Sequence, residues 1–238
     1  MEFTLEKIAE NMYAIEQQGV RAFLLIGPER AVLVDTCFGG DILSACRSVT
    51  DLPITLITTH ADPDHMGCDK QFPDQHLHSG DLPRYESKAG DGKQLMPVQD
   101  GDLICVGEYN LEVIWIPGHT PGSIALLDRE HRFLISGDTV QGGCIFMHGE
   151  GRDLHAFHKS IGKLEQLRKE GAFHRIFPSH GERMLPADIL EDHMALAEEI
   201  LAGSAVPVAP GLEWFPETVK VYRHGRAQMY YDMTEDGK

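Results

Sequence analysis

Thiols are scarce in this chain. Five cysteines are spread over 238 residues, and no two of them form a Cys-x-x-Cys pair. That excludes a disulfide framework and an all-thiolate zinc site; an odd, unpatterned set fits free thiols in a reducing compartment. Basic residues are also in short supply: 21 Lys and Arg stand against 37 Asp and Glu, a formal net charge of −16. A nucleic-acid partner or an anionic membrane surface calls for the opposite sign. No apolar run is long enough to span a membrane. The opening MEFTLEKIAENMYAIEQQ has neither the basic start nor the apolar stretch of a secretory signal. Repeats and low-complexity segments are missing too. The expectation is a cytoplasmic protein with a small-molecule substrate and no nucleic-acid or membrane partner.

What is present is a core. Hydrophobic residues make up 42% of the chain, enough for one large α/β domain spanning 1–238. Met12–Glu16, Ala22–Ile26 and Ala31–Val34 have strand composition, Asp41–Val49 has helical spacing, and Ile54–Thr58 is a β-branched strand. Gln75–His78 is a short strand candidate. Ser79–Gln94 reads as loop with a short helix at Leu82–Ser87. Leu103–Val106 pairs with Leu111–Ile116, and Ile124–Leu127 with Arg132–Ile135. Leu154–Lys169 is an amphipathic helix, and Arg175–Pro178 is a strand. Pro186–Ala202 is the last long helix, with Pro186 at its first position, and Val219–Arg223 with Ala227–Tyr231 closes the chain as a hairpin.

The chemistry concentrates in Thr58–Cys68, TTHADPDHMGC. His60, Asp62, Asp64 and His65 fall within six residues, directly after a strand, and Pro63 keeps them on a loop. A polar helix cap would need one Asp, not two Asp and two His. Mixed imidazole and carboxylate donors suit zinc, iron or manganese. The same event recurs: a strand ends and a metal-capable residue follows, at Asp35, at His60 to His65, at His119, at Asp138 and at His180.

In that order these residues resemble the metallo-β-lactamase superfamily. The carriers are Asp35, His60-Ala61-Asp62-Pro63-Asp64-His65, His119 in GHTPGS, Asp138 in SGDTV and His180 in SHG. The resemblance implies a four-layer αββα sandwich, two mixed sheets with helices outside, and a metal site at one edge. By position it places one ion at His60, Asp62 and His119, a second at Asp64, His65 and His180, and Asp138 between them. Asp35 would orient a ligand. Asp62 departs from the family, which carries His there. Its extra negative charge favours harder ions, so two divalent ions are expected, zinc first and iron or manganese admitted by Asp62.

The implied activity is hydrolysis of an ester-like bond (thioester, lactone or related) by hydroxide drawn from a shared water, with Asp64 and Asp138 as catalytic carboxylates. Two other readings stay open. One is a non-haem di-iron oxidoreductase, since O₂- or NO-reducing relatives carry a carboxylate at the Asp62 position. The other is an inactive metal-binding sensor. Among secondary candidates, Cys37, Cys68 and Cys144 read as small buried hydrophobes rather than ligands. His155 and His158 read as surface residues. His76 and His78 form a weak ligand pattern, and Tyr222, Tyr230 and Tyr231 read as packing. His148 sits on a glycine-rich loop from which contact with substrate is the lesser of its readings, and Arg152 either clamps a substrate anion or pairs with Asp153.

Overall fold

The computed structural model describes residues 2–88 and 94–234. In chain order the first half holds β1 (Thr4–Ala9), β2 (Met12–Gln17), β3 (Val20–Ile26), β4 (Ala31–Val34), α1 (Ile42–Arg47), β5 (Ile54–Ile57), α2 (Pro63–Met66), β6 (Asp74–His78), α3 (Leu82–Lys88) and β7 (Gln94–Val98). The seven strands lie side by side in sequence order. They run antiparallel from β1 to β4 and parallel from β4 to β7. The second half holds β8 (Leu103–Val106), β9 (Tyr109–Trp115), β10 (Ile124–Asp128), β11 (Phe133–Gly137), β12 (Cys144–Phe146), α4 (Leu154–Lys169), β13 (Arg175–Pro178), β14 (Leu185–Pro186), α5 (Ile189–Leu201), β15 (Ala209–Pro210), β16 (Lys220–His224) and β17 (Ala227–Tyr231). Its main sheet runs β14-β13-β11-β10-β9-β8, and a small third sheet runs β12-β17-β16-β15.

Strand side chains alternate between faces, and here both faces are buried. In β3, Phe23 and Leu25 point into the core between the two main sheets, while Val20, Ala22 and Leu24 meet α1 through Ile42 and Cys46. In β10, Ile124 and Leu126 face that same central core, and Ala125 and Leu127 pack under α4 and α5. Near-continuous apolar runs therefore belong to the inner strands. The layers are helix, sheet, sheet, helix, which is the expected αββα sandwich.

Several elements depart from the sequence reading. β1 and β7 were not anticipated, and the third sheet adds to the two expected. Pro186 sits in the short β14, so the last helix starts three residues later, at Ile189. That helix still ends before Gly203, whose φ of +68° is the left-handed conformation that stops a helix. Within Ser79–Gln94 the expected short helix at Leu82–Ser87 is present as α3; residues 89–93 lie outside the described residues.

The two main sheets meet along a seam at the C-terminal ends of β4, β5, β11 and β13. Backbone hydrogen bonds cross it: Arg21 N–H donates to Ser179 O at 2.8 Å, and Ile124 N–H to Thr59 O at 2.9 Å. Every loop that carries a candidate ligand opens onto this seam.

Candidate metal centre

The first sheet delivers four of the groups. β4 is followed directly by Asp35, held at φ +63°, an uncommon conformation for a residue with a side chain. Its carboxylate is fully engaged: Oδ1 accepts from Thr59 N–H at 2.7 Å, and Oδ2 from Thr59 Oγ1 at 2.8 Å and His65 Nδ1 at 2.8 Å. Because Thr59 gives its hydroxyl proton to Asp35, its oxygen is left to accept from His60 Nδ1, 3.0 Å away. One buried carboxylate thus fixes two rings with Nε2 turned toward the seam, the orienting role expected of Asp35. Gly67 closes the α2 turn at a point where a Cβ would lie 2.0 Å from Phe38 O. Only glycine lets the two loops meet there.

The second sheet delivers His119 between β9 and β10, Asp138 after β11 and His180 after β13. Gly118, at φ +138°, admits the α4 backbone, since a Cβ there would stand 2.4 Å from Phe157 Cα. His180 Nδ1 donates to Gly19 O at 2.9 Å, which aims Nε2 inward. Buried Arg21 clamps the same turn, donating to Pro178 O at 2.7 Å and Gly181 O at 3.0 Å while pairing with Glu16.

These side chains converge. Ligand atoms of Asp64, His65, Asp138 and His180 all lie within 4.8 Å of one another, and so do those of His60, His119 and Asp138. Asp138 belongs to both sets, as expected of a shared carboxylate. His60 Nε2, His65 Nε2, His119 Nε2 and Asp138 Oδ1 are buried without a well-aligned hydrogen bond, though they crowd one another and Asp62, His65 Nε2 lying 3.2 Å from Asp138 Oδ1. Orphaned buried donors and acceptors are costly. Here four converge on the same space, in a mixed imidazole–carboxylate set that divalent transition ions favour. The residues present fit a metal pair.

Electrostatics point the same way. Burial raises the Asp138 carboxyl, but His65 and His180 outweigh it and hold the group well below the usual carboxylate range. Burial alone would lower the two imidazoles; Asp138 overcomes it, raising His65 well above its ordinary value and His180 to about 10. Asp64 is likewise lowered, the pairing with His180 prevailing over burial. His119 differs: burial and the Arg152 charge push it down to about 4, so it is neutral at pH 7 and its lone pair is available. The carboxylates draw positive charge, which a divalent ion held there would supply.

Asp62 is buried at the first position, with Oδ2 3.5 Å from His60 Nε2 and 3.3 Å from His119 Nε2. It also meets two arginines. Arg84 donates through Nε and Nη2 to Oδ1, at 3.0 and 2.5 Å, and Arg152 Nη2 donates to Oδ2 at 2.7 Å. Arg152 therefore pairs with Asp62 and with His119 O, not with Asp153. Asp153 instead caps α4, accepting from Ala156 N–H at 2.9 Å.

Sequence reasoning missed three supports: Arg21, Arg84 and Asp81. Asp81 is fully buried and joins the two histidine loops, accepting from Ala61 N–H at 2.7 Å, Gly122 N–H at 2.7 Å and Thr120 Oγ1 at 2.8 Å. Secondary candidates resolve as packing. His148 and Tyr230 lie against Phe215, His78 stacks on Trp115, and His158 faces Glu198. Burial pushes the Cys37 thiol up to about 12, beside the site but inert.

Over the cluster opens a cavity of about 570 Å³. Asp64 and His180 line it, together with the apolar rings of Phe38 and Phe146 and the charged side chains of Arg84 and Arg152. Among the described residues no helix is long and apolar enough to cross a membrane.

Comparison with known proteins agrees with this geometry. The acyl-coenzyme A thioesterase MBLAC2 of Gallus gallus is 26% identical over 213 residues, covering 73% of this chain and 76% of that protein. A hydroxyacylglutathione hydrolase of Yersinia enterocolitica is 32% identical over 146 residues, 60% of this chain and 55% of that one. Among solved structures, a metallo-β-lactamase from Pontibacter korlensis superposes with a TM-score of 0.69 at 18% identity, covering 83% of this chain and 99% of the other. The metallo-beta-lactamase superfamily model matches residues 16–180, from β2 to the last candidate ligand. The chain belongs to the metallo-β-lactamase superfamily.

Proposed function

We propose that this protein is a metal-dependent hydrolase that cleaves an ester-like bond, a thioester or lactone, in a small molecule. The observation that carries the reading is the set of orphaned buried imidazole nitrogens and the Asp138 oxygen, gathered beneath a cavity of substrate size. His60, Asp62 and His119 would hold one ion, Asp64, His65 and His180 the other, and Asp138 both. Zinc is the first choice, with iron or manganese admitted by Asp62. Bound there, the ions lower the pKa of water and polarise a carbonyl oxygen.

The remaining work falls to the chain. Asp64 lines the cavity with Oδ2 3.2 Å from His180 Nε2, placed to orient the attacking water and take its proton. Asp35 and Thr59 keep the His60 and His65 rings from turning. Phe38 and Phe146 receive the apolar part of the substrate and exclude water. The names of two relatives, a thioesterase and an acylglutathione hydrolase, put thioesters first among substrates.

The test is turnover of a panel of thioesters, lactones, phosphodiesters and sulfate esters by the metal-loaded protein, run beside Asp64→Asn. Thioester or lactone hydrolysis that falls at least about a hundredfold in Asp64→Asn, the scale of a lost general base, is the expected result. Activity confined to phosphodiesters or sulfate esters, or unaffected by the variant, overturns the reading.

A further inference from the structure

The two halves of the cluster are built differently. The group of Asp64, His65, Asp138 and His180 places two carboxylates beside two imidazoles. No guanidinium ion pair is formed by Asp64 or Asp138 among the described residues. The group of His60, His119 and Asp138 has only the shared carboxylate. Its second anion, Asp62, is in the grip of two cations that come from separate elements, Arg84 on α3 and Arg152 in the loop before α4.

The grip is specific. Arg84 gives Oδ1 two N–H groups from one guanidinium, and Arg152 gives a third N–H to Oδ2, the oxygen nearest His60 and His119. Both arginines are braced behind Asp62, Arg84 by Glu150 O at 3.0 Å and Arg152 by His119 O. One carboxylate and two guanidiniums sum to one positive charge where the family motif places a neutral imidazole. Charges in a poorly solvated floor interact strongly. Arg152 also withdraws electron density from the oxygen that would face an ion.

We propose that the two ion positions are unequal and that Arg84 and Arg152 make them so. The His60–His119 position binds its ion weakly because the arginines hold Asp62 and oppose a second cation. The Asp64–His65–His180 position binds tightly. At limiting metal the protein carries one ion, and the arginines set the concentration at which the second arrives. This rests on the cluster being the metal centre of the proposed hydrolase.

The experiment loads the full chain with Mn²⁺ and strips it with graded chelator, counting ions by native mass spectrometry. Two ions should leave in separate steps, at chelator strengths about 10–100-fold apart, the scale by which groups behind a ligand tune affinity. His180→Ala should lose the tightly held ion. Arg84→Met and Arg152→Met, each checked for native circular dichroism, should tighten the weak step about tenfold or more and leave the strong step unmoved. Simultaneous loss of both ions from the wild type overturns the inequality while leaving the metal centre intact. So does a weak step that weakens further in both arginine variants, because the arginines would then be holding Asp62 out as a ligand. Failure to retain any ion overturns the metal centre itself.

Discussion

Replacing Asp81 tests how the site is anchored. Its carboxylate satisfies the N–H groups of Ala61 and Gly122 and the hydroxyl of Thr120, all within 2.8 Å. In Asp81→Ala the Thr120 hydroxyl keeps a partner, Ser123 Oγ at 2.8 Å. The N–H groups of Ala61 and Gly122 each lose a charged acceptor. Each such bond is worth about 1.5–3 kcal/mol. The expected loss is about 4 kcal/mol, a large part of a typical stability of about 5–15 kcal/mol. Asp81→Asn keeps one acceptor but turns an amide NH₂ toward an N–H donor, for a loss of about 2–3 kcal/mol. The assay is urea unfolding of chelator-treated protein, so that bound ions do not mask the change. The loops joined by Asp81 carry His60 and His119, so metal retention should fall with stability. An Asp81→Ala protein that loses less than about 1 kcal/mol and keeps its metal would refute the reasoning, because one absent hydrogen bond already costs that much.

Asp138→Ala removes the carboxylate common to both ligand groups; elemental analysis should find both ions depleted, and a normal metal content would contradict the shared role. Arg21→Met strips three carbonyl partners and Glu16 from a buried guanidinium. It should cost about 3 kcal/mol in urea unfolding, the scale of a broken buried pair, and weaken Mn²⁺ retention about tenfold through His180; unchanged retention would show that the isolated backbone bridge between Val20 and His180 suffices. His193, buried against Phe157 and bonded to Gln141 O, is pushed down to about 4 by burial, from an ordinary 6.5. The unfolded chain therefore binds the proton first on acidification. Stability is fully present above pH 6.5 and falls toward pH 4 by about 3 kcal/mol from this group. His193→Phe should flatten that part of the urea-derived pH profile, and an unchanged slope would show that the ring takes up its proton without cost.

The converging candidate residues were legible as a group because they sit at strand ends, next to apolar runs, in short contiguous motifs. Their supports were not. Arg21 grips a turn 157 residues away, and Asp81 holds Gly122 across 41, with nothing in their local sequence to mark burial. Arg152 read as a substrate clamp or a partner of Asp153 because its actual partner, Asp62, lies 90 residues back. The same limit explains the missed strands. β1, TLEKIA, is a largely exposed edge strand with no clean alternation. β7 contains Pro97, which argues against a strand except at an edge, where β7 lies. Pro186 invited a helix start because its fixed φ suits one, and the β14 bridge was too short to compete in sequence.

The seam gives the metal centre a mechanical meaning. Four candidate ligands ride on one sheet and three on the other, so ions held there would act as rivets between two slabs that otherwise meet through side-chain packing and a few backbone bonds. Their removal should loosen the rim before the middle. The N–H groups of Arg21 and Ile124, which reach across the joint, become local gauges: their hydrogen exchange should quicken on chelation while that of Leu24 and Leu126, deep in the slabs, holds steady. A site built this way would couple the alignment of the two halves to the cation supply, and the metal-free chain would have its joint unfastened.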